Sequence, residues 1–165
     1  MNYYQLMAAY NQWMNRKLYG VCAGIPDGKR REDLGAFFKS IHGTLNHLLL
    51  ADNIWMDRFT GRPRRYRLGD EIHADFDKLR TAREEMDTMI LEWVEELTEE
   101  WLNEPLQWVS GVDGKTRRIL NRILVTHMFN HQTHHRGQLT TLIKQLGYEP
   151  GVTDIPGMPM FTAED

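Results

Sequence analysis

The chain has 165 residues, about the size of one ordinary domain, and that length buries a hydrophobic core without disulfides or a structural metal. Its 20 basic and 23 acidic residues leave a formal net charge of −3, which argues against a protein whose main work is holding a polyanion such as nucleic acid. Cys22 is the only cysteine, which excludes an intramolecular disulfide and a multi-cysteine zinc site and suits a reducing compartment.

The first residues, MNYYQLMAAYNQW, are amphipathic rather than a basic stretch followed by an apolar one. No apolar run approaches the roughly 18 residues that a membrane span needs. The expectation is one soluble, cytoplasmic domain over residues 1–165, with no membrane and no nucleic-acid partner.

In chain order, Tyr3, Leu6, Met7, Tyr10, Trp13, Met14 and Leu18 recur at spacings of three and four and predict a first helix ending near Gly24 to Gly28. A second run from about Arg31 to Phe59 carries Leu34, Phe37, Phe38, Ile41, Leu45, Leu48, Leu49, Ile54 and Trp55. That stripe is too broad for a surface helix, so this helix is expected to be central, and Gly61-Arg62-Pro63 stops it. Phe76, Leu79, Arg83, Met86, Ile90, Trp93 and Leu97 define a third helix, with Glu92, Glu95, Glu96, Glu99 and Glu100 on a solvated outer face. After Pro105 the alternating LQWVSGVDGKTRRI, with Asp113-Gly114 at its turn, predicts a short hairpin. A fourth helix is expected from about Thr116 to Leu146, capped by Gly147, and the Pro- and Gly-rich tail from Pro150 is expected to lie along the surface or over one end. The fold class is therefore all-α: a four-helix bundle with a small hairpin-like insert before the last helix, whose sites are made by inward-facing side chains.

The stretch HMFNHQTHHRGQ, residues 127–138, holds four of the seven histidines. At 100° per residue, with His131 at zero, the apolar positions of the fourth helix centre near about 40°. His135 falls at about 40°, His127 at about −40° and His134 at about −60°, with Arg118, Arg122 and Arg136 on the far side. His131 and His135 thus point inward, one turn apart, where both imidazoles can reach one ion, and Gln138 follows as a polar partner. The competing reading makes them core histidines bonded to carbonyls, or part of a dimer interface. A third ligand is needed, and on the second helix periodicity does not choose between His42 and His47. Two other groups of residues carry a weaker signal. The arginine-rich stretch 62–67 reads as a solvated loop that could grip an anion, and Trp13, Trp55 and Trp93 read as core, with Trp55 a candidate pocket wall.

YNQWMNRKLY, SIHGTLNHLLLADNIWMDRF, DGKTRRIL, HMFNHQTHHRGQL and TDIPGMP together resemble the DinB family of small helical proteins over almost the whole chain. The resemblance implies a four-helix bundle with a long crossover connection, often a homodimer, and a metal ion held by His47, His131 and His135. A dimer would also give the wide apolar stripe of the second helix a further partner.

Three neutral imidazoles leave a divalent ion its full charge and an open position, the make-up of a catalytic zinc site; zinc is the first choice of ion and nickel the second. Such an ion makes a nucleophile of water or of a thiol at neutral pH. Family members that use low-molecular-weight thiols imply a thiol-dependent transferase or hydrolase. The alternative is a non-catalytic, metal-stabilised dimeric interaction module in a damage or stress response. No Glu follows His131 as in H-E-x-x-H, which disfavours peptide hydrolysis by that route.

Overall fold

The computed structural model describes residues 1–162 and is mostly helical. Four long helices carry the structure: α1 (Tyr3–Ala23), α3 (Ile41–Phe59), α4 (Phe76–Glu95) and α6 (Asn121–Gln145). Short helices α2 (Asp27–Arg30), α5 (Glu99–Asn103) and α7 (Pro159–Thr162), a 3-10 turn at Ile155–Gly157, and strands β1 (Pro105–Val109) and β2 (Thr116–Leu120) fill the connections. α1 and α3 each pack on both α4 and α6, so the four long helices enclose one core that includes Met14, Leu45, Leu49, Leu79, Met86, Met128, Phe129 and Leu139. Because α3 has two neighbours within the chain, its wide apolar stripe needs no second copy to cover it.

Local chemistry sets the helix ends. Asn2 and Gln5 form a reciprocal capping box at the start of α1, and Asp75 caps α4 by accepting from the Lys78 amide at 2.9 Å. The α3 start differs from the sequence reading by ten residues. Ser40, whose hydroxyl accepts from the Gly43 amide at 3.0 Å, is the N-cap, and Gly35 and Lys39 adopt positive φ in the preceding turn. Leu34, Phe37 and Phe38 therefore belong to a loop, and Phe37 is 83% exposed. Gly43 allows that loop to close on the helix: a Cβ there would lie 2.2 Å from the Phe38 carbonyl oxygen.

The fourth long helix starts at Asn121, not Thr116, because residues 116–120 pair antiparallel with 105–109, with Trp108 opposite Arg117. Gly114 supplies the positive φ of the hairpin turn. The tail packs on α1: the Tyr10 hydroxyl donates to the Thr153 carbonyl at 2.7 Å, and Met158 is buried. The part of the tail from 163 to 165 lies outside the described residues.

Arg83, grouped by spacing with the apolar positions of α4, is 1% exposed and sits between two buried carboxylates, Asp52 of α3 at 2.7 Å and Asp87 at 2.9 Å. Burial works against its charge, but Asp87 and Asp52 outweigh burial and hold its pKa above the ordinary arginine value. Cys22 is fully buried, and burial pushes its thiol up to about 12, so it stays protonated at neutral pH.

Truncating one member of a buried ion network leaves the others charged without a partner, which costs on the order of 3–5 kcal/mol. Arg83→Ala is expected to lose that much in urea unfolding. A loss below about 1 kcal/mol would show that the two aspartates are neutral in the native protein.

Candidate metal centre

His47 comes from the second turn of α3, and His131 and His135 from successive turns in the middle of α6. Their ligand atoms all lie within 4.8 Å of one another. The Nε2 atom of His131 is 3.2 Å from that of His47 and 3.1 Å from that of His135. A neutral ring nitrogen carries one proton or one lone pair, so His131 Nε2 cannot make a well-directed hydrogen bond to both neighbours. Ligands at ~2.0–2.1 Å from a tetrahedral ion stand about 3.3 Å apart, close to the spacing of these nitrogens. The donor set therefore fits a divalent ion.

The tautomers agree. His135 Nδ1 is 2.7 Å from Gln138 Oε1, which only accepts, so the proton sits on Nδ1 and the Nε2 lone pair faces the cluster. Burial, followed by the neighbouring His135, lowers the His47 pKa to about 4. Burial and the surrounding histidines, His135 and His47 foremost, lower that of His131 to about 3. His135 is also lowered, chiefly by burial, with Gln138 working the other way. All three rings are neutral at pH 7, the form that binds metal.

The surroundings differ from side to side. Phe38 stacks on the His47 ring with centroids 3.7 Å apart and planes at 17°, and meets His135 edge-on, so the loop that Gly43 admits covers one flank. On another flank a pocket of about 300 Å³ opens, lined by His47 and His131 together with Trp55, Arg58, Trp108 and His127. Trp108 comes from β1, and Ser110, Gly111 and Val112 of the hairpin turn complete that wall. The hairpin, in sequence a mere insert, thus builds one side of the pocket.

A model of the DinB family matches residues 1–165. The chain belongs to the DinB family. Protein DinB of Bacillus subtilis strain 168 is 30% identical over 154 residues, covering 88% of this chain and 87% of that one. Two solved structures share the DinB-like fold. A DinB-like protein of Bacillus cereus ATCC 10987 has a TM-score of 0.65 and 18% identity, over 90% of this chain and 91% of that one. A DinB-like protein of Bacillus subtilis has a TM-score of 0.63 and 17% identity, over 86% and 92%.

The other histidines of this DinB chain lie outside the cluster. His42, which periodicity could not separate from His47, is buried with Nε2 3.0 Å from the His73 carbonyl and 3.1 Å from Glu71. His127 packs against Trp55 with centroids 5.3 Å apart, and His134 bonds Gln138 at 3.3 Å. Arg136 corrects the helical wheel: it is buried, donating to Asn11 of α1, because α6 packs on α1 as well as α3 and its far side is a second interface. The loop arginines divide. Arg65 pairs with Asp57 at 3.0 Å and also donates to Asn53 of α3, while Arg64 donates to the Tyr66 carbonyl. Phe38 and Arg58 carried no functional signal in the sequence; the S-x-x-G pattern of Ser40 and Gly43 marks the helix start that would have put Phe38 in a loop.

A histidine whose folded pKa lies below its unfolded value, near 6.5, supports folding above 6.5 and loses that support as pH falls toward the folded value. Chelator-treated protein is therefore expected to lose up to roughly 2 kcal/mol per histidine, for His47 and His131, between pH 6.5 and pH 5 in urea unfolding. His131→Ala should flatten that dependence. Equal stability at the two pH values would contradict the burial of neutral rings.

Proposed function

We propose that this DinB-family chain is a divalent-metal-dependent protein in which His47, His131 and His135 hold the ion through their Nε2 atoms. The observation that carries the reading is the convergence of three imidazole nitrogens at metal-ligand spacing. Zinc is the first choice and nickel the second, since imidazole suits both. Such an ion supplies a Lewis acid that lowers the pKa of a bound water or thiol toward ~7.

The pocket beside His47 and His131 favours catalysis over a purely structural role, because three protein ligands leave a position that a small molecule can approach from that side. His135 is oriented by Gln138, and Phe38 stacks on His47 at the flank where a second opening, lined also by Asp70 and Glu71, reaches His47 alone. Among the described residues no carboxylate lines the pocket, so a neutral-ligand ion there favours an incoming anionic donor. The reading is accordingly a thiol-dependent transferase or hydrolase using a small anionic thiol. A non-catalytic, metal-stabilised interaction module is the second reading.

His47→Ala, His131→Ala and His135→Ala are each expected to drop bound metal at least tenfold with the far-UV helical signal retained, and His42→Ala to keep it. Cobalt-substituted wild type should then develop a sulfur-to-metal charge-transfer band with glutathione, cysteine, bacillithiol or mycothiol. Metal retained in all three variants would sink the site. Stoichiometric metal without a band at millimolar thiol would leave water activation or the interaction module.

A further inference from the structure

We infer that the pocket beside the three histidines is an organic-anion site, with Arg58 as the residue that binds the anionic group and Trp55 and Trp108 as the surfaces for a flat apolar body. Arg58 is partly buried, with its guanidinium 4.6 Å from the Trp55 ring centroid and 5.6 Å from that of Trp108. Charged groups out of water are normally paired. The other buried cations are satisfied: Arg83 has Asp52 and Asp87, Arg30 has Asp27 and two backbone carbonyls, and Arg136 donates to Asn11 and Thr133. Arg58 has no acidic partner among the described residues, and burial, followed by the like charge of Arg64, lowers its pKa.

Arg64 adds positive charge at the rim. A Cβ on Gly111 would lie 3.4 Å from Arg64 Nη1 and 3.1 Å from Leu68, so hairpin turn and arginine loop meet above the pocket. Two cations, two indoles and no carboxylate around about 300 Å³ match a small amphipathic anion, the acidic group on the guanidinium and the apolar part on the rings.

The length is also set. Trp55, over which Arg58 lies, is eight residues beyond His47, roughly 12 Å along α3. A ligand that reaches both ends is therefore elongated, anionic at the Arg58 end and with its reacting atom at the histidines. This rests on the metal reading only for the reacting end. Carboxylate and phosphate share the chemistry that Arg58 recognises, bidentate and charge-assisted.

Calorimetric titration of zinc-loaded protein with 2-naphthoate, 2-naphthyl phosphate and the neutral 2-naphthalenemethanol tests the site, with metal content measured on the same samples. At least one anion should bind at least about tenfold more tightly than the alcohol, and the stronger of the two identifies the preferred acid group. Arg58→Gln should remove that advantage without changing alcohol binding, and Trp108→Ala should weaken all three. Equal affinities of anion and alcohol, or unaltered anion binding in Arg58→Gln, would overturn the inference while leaving the metal site untouched. Protein that holds no zinc but still shows Arg58-dependent anion binding would support the anion site and overturn the metal reading.

Discussion

Gln132 fixes the register on which the rest of the structure depends. Its amide donates to the Leu48 carbonyl at 3.1 Å and to the Asp52 carboxylate, tying the middle of α6 to the middle of α3. Asp52 is in turn held by Arg83, and Arg83 by Asp87, which accepts from Asn15 of α1 at 2.9 Å, so all four long helices meet at one buried polar network. Residues 47 and 131 flank the tie directly, and a slip of one residue between α3 and α6 would turn His47 away from His131 and His135. Hydrophobic packing tolerates small shifts between helices. A buried carboxylate with an arginine and an amide to satisfy does not, because any slip leaves charge unpaired.

Three chain segments finish the centre that this register places. The Ser40 cap and Gly43 bring Phe38 onto one flank of His47, Gln138 sets the His135 tautomer, and the β1–β2 hairpin delivers Trp108 to the pocket. The result is asymmetric: on the Phe38 side an opening that Asp70 and Glu71 also line reaches His47 alone, and on the other an opening edged by indoles and an arginine without an acidic partner reaches both His47 and His131. That asymmetry gives the three imidazoles a direction of approach.

The four long helices were legible because apolar residues recur at helical spacing, and the inward pair His131 and His135 followed from the same periodicity. The choice of His47 over His42 was not, since α3 is buried nearly all round and both histidines fall at the borders of its stripe; only the family resemblance pointed to His47. Arg136 was misplaced because a wheel with one apolar face cannot represent a helix packed on two partners. The early start assigned to α3 came from Leu34, Phe37 and Phe38, whose spacing mimics a helical face while the Ser40 cap overrides it. Arg83 within an apolar stripe was a readable sign of a buried counter-charge, but its partner Asp52 lies 31 residues away and only the fold joins them.

An anomalous-scattering map of crystals grown from protein purified without chelator or nickel affinity resin tests the central claim most directly. The account predicts one peak at the edge of a divalent transition metal, about 2.0–2.2 Å from the Nε2 atoms of His47, His131 and His135 and open toward Trp108. A peak on other residues, or none between these three rings in protein that carries stoichiometric metal, would contradict it.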